Sequence, residues 1–101
     1  MKSLFMVVLK YLVNLEEIDK HRPEHLEFLS SLYATHTLIV SGPQVPRTGG
    51  VLLAKAHSRG ELEEALKSDP FAIHQLAEYQ IYQFEPTKMN DMFEHIMYKD
   101  L

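Results

Sequence analysis

Two residues carry most of the chemistry this sequence can offer: an aspartate at a sharp corner and a histidine near the head of a helix. Asp69 lies in Lys67-Ser68-Asp69-Pro70-Phe71, a run that closes one helix and opens a short one before the last strand. His25 lies in Arg22-Pro23-Glu24-His25-Leu26. Aspartate before proline is a common helix start, and such a cap is worth about 1 kcal/mol. A carboxylate that accepts a hydrogen bond from an imidazole also fixes its tautomer and orientation. Asp69 therefore reads as a cap or as the partner of a histidine, and one carboxylate can do both. His25 precedes Phe28, Leu29 and Leu32 at helical spacing, which places it beside a buried stripe. That is the pattern of a partly buried, hydrogen-bonded histidine. The other reading is a general acid or base kept neutral by a helix N-terminus. The expectation is that the fold brings His25 and Asp69 to one pocket.

Arg22 is a charge that could neutralise an anionic ligand or simply stay solvated. Ser41-Gly42-Pro43 ends a strand at a tight turn, where the hydroxyl faces a pocket or merely serves the turn. Arg22, Ser41, Gly42 and Phe71 are the candidate substrate contacts. His21 and His25 are four apart, a spacing that binds metal on a helix. Pro23 between them places His21 outside a helix that begins at the proline, so no metal site is expected. His36, His57, His74 and His95 are scattered and read as surface residues.

The elements that must hold these side chains follow from the apolar pattern. Residues 3–13 read as a strand with both faces apolar, Leu4, Met6, Val8 and Leu12 on one and Phe5, Val7, Leu9, Tyr11 and Val13 on the other. Asn14 and Glu17 mark a short helical turn. Pro23 suits a first helical position, so the main helix is predicted from about Pro23 to Thr35. Residues 37–41 and 50–56 are predicted strands joined by a turn-rich connection. Ser58 and Glu61 form a capping box for a second helix, Asp69 caps a short turn, and residues 78–85 form the last strand. Asn90 caps a terminal helix over about residues 90–99, whose Met92, Phe93, Ile96 and Met97 are expected to be buried against the sheet or across an interface.

The order β-α-β-β-α-β plus a terminal helix is the ferredoxin-like α+β arrangement. Its crossover helices cover one sheet face. The other face of the first strand is also apolar, and a second copy of the sheet is the simplest cover, so a homodimer is expected.

Composition bounds the function. At 101 residues one domain is expected, with a core over about residues 3–86. A net charge of −4 without a basic block argues against nucleic acid. The absence of cysteine excludes disulfides, thiolate metal sites and a cysteine nucleophile. The apolar run Leu4 to Leu9 is too short to span a membrane. It breaks at Lys10 without a small-residue cleavage site, so a cytoplasmic protein is expected.

Taken together and in order, Arg22-Pro23-Glu24-His25-Leu26, Leu38-Ile39-Val40-Ser41-Gly42-Pro43 and Ser68-Asp69-Pro70-Phe71 resemble the YciI-like (YCII-related) family over about residues 3–86. The resemblance implies a dimeric α/β barrel of ferredoxin-like subunits with a His/Asp-centred site, here His25 and Asp69. The family is related to chloromuconolactone dehalogenase and, more distantly in fold, to muconolactone isomerase and small monooxygenases. Where members often carry glycine, this chain has Ala34-Thr35-His36 after the first helix and Gln75 after the Asp-Pro-aromatic motif.

The functional expectation is a small enzyme without cofactor, with His25 as acid/base and Asp69 orienting it. Its substrate would be a small, anionic or lactone-like molecule undergoing proton transfer, elimination or hydrolysis. The alternative is a non-catalytic dimeric module that binds a small ligand or a protein. A monooxygenase-like relative without metal rests on fold analogy alone.

Overall fold

The computed structural model describes residues 2–98. β1 (Ser3–Tyr11) is followed by α1 (Leu15–Ala34), β2 (Leu38–Pro43) and β3 (Gly49–Ala56). Then come α2 (Arg59–Leu66), α3 (Pro70–Ile73), β4 (Ala77–Phe84) and α4 (Asp91–Tyr98). The strands form one sheet in the order β2-β3-β1-β4, with every neighbouring pair antiparallel. This is the ferredoxin-like α+β fold.

β1 lies inside the sheet because it is apolar on both faces. Phe5, Val7 and Leu9 point beneath the helices and are buried with Ile18, Leu29, Leu52, Leu62 and Phe71 in the main core. Gly49 sits where β1 and β3 approach closely: a Cβ there would lie 1.7 Å from the Leu9 carbonyl oxygen. No other residue fits that contact without moving a strand.

α1 departs from the expected boundaries. It begins at Leu15 and runs twenty residues with Pro23 inside it. Proline removes one intrahelical donor and ordinarily costs about 3 kcal/mol or more within a helix. Here both flanks are fixed. Asn14 accepts a hydrogen bond from the Glu17 N–H at 3.0 Å and caps the start. Ile18, Leu29 and Leu32 are buried on either side of the proline, so tertiary packing overrides the local preference. His25 is consequently in mid-helix and not in the first turn, so the helix N-terminus does not act on it. His21 lies within the helix, not outside it.

Other boundaries shift less. β1 ends at Tyr11, two residues short of the prediction, and β2 is displaced to Leu38–Pro43 with an irregular register between Leu38 and Val40. Ser58 and Asn90 cap α2 and α4 as expected, through Glu61 N–H and Phe93 N–H. α4 covers one end of the second sheet face, where Met97 is buried and Lys55 Nζ donates to the Ile96 carbonyl at 2.7 Å. Its other predicted core residues differ: Met92 is 80% exposed and Ile96 is exposed, so within one chain only Met97 is fully buried. No helix among the described residues is long and apolar enough to cross a membrane.

Candidate active site

His25 and Asp69 meet beneath α1. His25 Nδ1 lies 2.8 Å from Asp69 Oδ1, with Asp69 0% and His25 8% exposed. Each is placed by a different element. His25 comes from the inward stripe of α1. Asp69 is the residue before α3, held there because its Oδ1 also accepts the Phe71 N–H at 3.0 Å, with Pro70 starting the helix behind it. The cap and the histidine contact therefore share one oxygen.

The second oxygen is taken by a residue that the motifs did not indicate. Tyr79 in β4 donates its hydroxyl to Asp69 Oδ2 at 2.6 Å. Burial, then the Asp69 charge, then this hydrogen bond push the Tyr79 hydroxyl far above the usual tyrosine range. It is a fixed donor at any ordinary pH. Only the strand alternation, which points Tyr79 to the helix-covered face opposite Leu9, could have marked it.

Asp69 accepts three hydrogen bonds and donates none, which suits a carboxylate. The hydrogen-bond pattern then assigns the proton of the neutral imidazole to Nδ1, leaving Nε2 with its lone pair. Nε2 has no protein partner among the described residues, and His25 forms part of a cavity wall. Phe71 stacks flat against the imidazole, ring centres 3.9 Å apart and planes 3° from parallel, while Tyr11 packs edge-on against Phe71. The ring can neither tilt nor swing without displacing Phe71 or breaking the Asp69 contact.

The cavity has a volume of about 180 Å³, smaller than those that hold drug-sized ligands. Leu9, Leu26, Leu29, Leu52 and Phe71 supply apolar walls, and Tyr11, Arg22, His25 and Ser41 supply polar ones. Gly42, Pro43 and Gly50 bring β2 and β3 backbone to the rim. All six candidate residues thus converge except Asp69, which stands behind His25. Ser41 Oγ is 2.6 Å from the Tyr33 hydroxyl, so the serine is held by a second unpredicted tyrosine. Phe71, only 2% exposed, meets His25 and Tyr11 with its ring.

His21, by contrast, does not join His25. Its ring lies against His74, centres 4.3 Å apart, and these two with Glu24 hold ligand atoms within 4.8 Å of one another. None of the three lines the cavity.

The fold has a counterpart among solved structures. One similar chain is 5-chloro-2-hydroxyhydroquinone dehydrochlorinase (TftG) from Burkholderia phenoliruptrix AC1100, in complex with 2,5-dihydroxybenzoquinone. It is 25% identical, with a TM-score of 0.73 over 87% of this chain and 99% of that one. No curated protein matches the chain in sequence. The YCII-related domain matches residues 3–85, most of the 101-residue sequence, and the chain belongs to the YCII-related family.

Proposed function

We propose that the chain is an enzyme acting on a small hydroxylated ring, with His25 as general base and Asp69 as its orienting partner. The observation that carries this reading is the contact between His25 Nδ1 and Asp69 Oδ1, which leaves Nε2 without a protein partner among the described residues on a side chain that lines the cavity. In the reaction, Nε2 takes a proton from a ring hydroxyl or carbon and a small anion leaves the ring. The buried Asp69 charge stabilises the imidazolium that forms. Arg22 at the cavity wall supplies positive charge for an anionic ring or the departing anion. The dehydrochlorinase supports the substrate class, since its bound molecule is a dihydroxylated six-membered ring.

The same reading makes the working unit a homodimer. Met6, Val40, Tyr82 and Phe84 are exposed, and with Val8, Val51 and Leu53 they occupy the sheet face that the helices leave open. A second copy packed on this face removes an apolar patch that a monomer rarely presents.

The test uses 5-chloro-2-hydroxyhydroquinone as substrate and 2,5-dihydroxybenzoquinone as ligand. Chloride release by the wild-type protein, falling about 100-fold or more in His25→Ala, is expected from the loss of a positioned base. Saturable binding of the quinone without turnover would favour a binding module. Neither binding nor chloride release would overturn the substrate class.

A further inference from the structure

We propose that His21, Glu24 and His74 form a divalent-cation site, separate from the cavity, of the kind that takes zinc or another imidazole-preferring first-row ion. His21, half-buried, and Glu24, exposed, are three apart on α1, about one turn along the same side of the helix. His74 arrives from the end of α3, where it follows Ile73 as the helix cap. Two imidazoles and one carboxylate with open remaining positions are a donor set suited to such ions.

Two observations of the geometry support the assignment. Two imidazoles bound to one ion at about 2.1 Å place their ring centres about 4.6 Å apart at a 90° angle and about 5.3 Å apart at the tetrahedral angle, so the pair must open by up to about 1 Å to hold zinc. The His21 and His74 centres are 4.3 Å apart. The ligand atoms, within 4.8 Å of one another, need a modest rotation to reach the spacing of about 3 to 3.5 Å found around one ion. Glu24 and His74 are exposed and make no other side-chain hydrogen bond or ion pair among the described residues, so both are able to turn. Second, His21 Nδ1 is buried and meets no donor or acceptor. A buried polar atom without a partner is unfavourable and uncommon in native proteins. A cation at this cluster supplies the missing interaction, through Nδ1 itself or through a ring reoriented to bind it.

The position gives the site a consequence. The ion would join α1 to the end of α3, the two elements that also carry His25 and Asp69. Occupancy would therefore clamp the scaffold of the dyad without entering the cavity.

The experiment is calorimetric titration of chelator-treated full-length protein with zinc chloride, repeated with His21→Ala, Glu24→Gln and His74→Ala. The control is His57→Ala, an exposed histidine on another part of the chain. One zinc per chain is expected, with affinity unchanged in the control and reduced 10-fold or more in His21→Ala and His74→Ala. The melting temperature of the wild-type protein should rise with zinc, and that of His74→Ala should not. His74 is exposed at the end of a short helix, so this variant keeps the test valid even if His21→Ala fails to fold. No zinc binding below about 100 µM, or binding that survives His74→Ala unchanged, overturns the site. Because neither readout uses catalysis, this outcome is independent of whether the dyad turns over a substrate.

Discussion

Tyr79→Phe removes one hydroxyl and tests how the dyad is supported. The lost contact is a 2.6 Å hydrogen bond to Oδ2 of a carboxylate that is 0% exposed. Hydrogen bonds to charged groups contribute about 1.5 to 3 kcal/mol, and the loss stays within that range because Asp69 Oδ1 keeps its hydrogen bonds to His25 and the Phe71 N–H. Oδ2 has no other protein donor among the described residues, while phenylalanine retains the ring packing. The expected loss is about 2 kcal/mol, roughly a 30-fold change in the folded-to-unfolded ratio. For a chain this size that lowers Tm by about 8 to 16 °C. Urea unfolding followed by circular dichroism, with an unchanged m value, is the assay.

The alkaline limb gives the substitution a second signature. Tyr79 is pushed up in the folded state by burial and by Asp69, whereas unfolded tyrosine titrates near 10. A group raised on folding contributes stability that is complete below its unfolded value and is lost as pH rises beyond it. Wild-type stability should therefore fall above about pH 10, with Tyr79 supplying at most about 1.4 kcal/mol per pH unit, and Tyr79→Phe should lack that part of the slope. A stability change under about 0.5 kcal/mol with an identical alkaline slope would refute the claim that Tyr79 holds Asp69.

Gly49→Ala should destabilise by more than about 3 kcal/mol or prevent folding, because its methyl group overlaps the Leu9 backbone oxygen; a near-native Tm would refute the close approach. His36 and Gln75 hold left-handed backbone, with φ of 60° and 56°. Replacing either by glycine should stabilise by about 0.5 to 1 kcal/mol, read as a rise in urea midpoint. Light scattering should give twice the 11.7 kDa chain mass, falling to the monomer in Tyr82→Glu; a monomeric wild type would remove the face-to-face packing.

The strand and helix order was legible because β1 is apolar on both sides and because Ser58, Asp69 and Asn90 are strong caps with local partners. The same local rule misled at Pro23. Proline at a helix start is the better guess from propensity, but Ile18 and Leu29 bury on either side and carry the helix through it. His36 and Gln75 were visible as departures from glycine, and the structure shows that these positions are left-handed turns. The Tyr79–Asp69 and His21–His74 contacts were not legible, since each depends on how separate elements pack. Nothing in the spacing of Asp69 and Tyr79 shows that a strand returns beneath α3.

The most direct test of the dyad is a double-mutant cycle on kcat/KM for chloride release from 5-chloro-2-hydroxyhydroquinone. Asp69→Asn preserves an oxygen for the Phe71 N–H and the His25 ring and removes the charge, and His25→Ala removes the base. If Asp69 acts only through His25, the double variant should be no slower than His25→Ala, while Asp69→Asn alone loses activity. Losses that multiply in the double variant, or full activity in His25→Ala, would contradict the account.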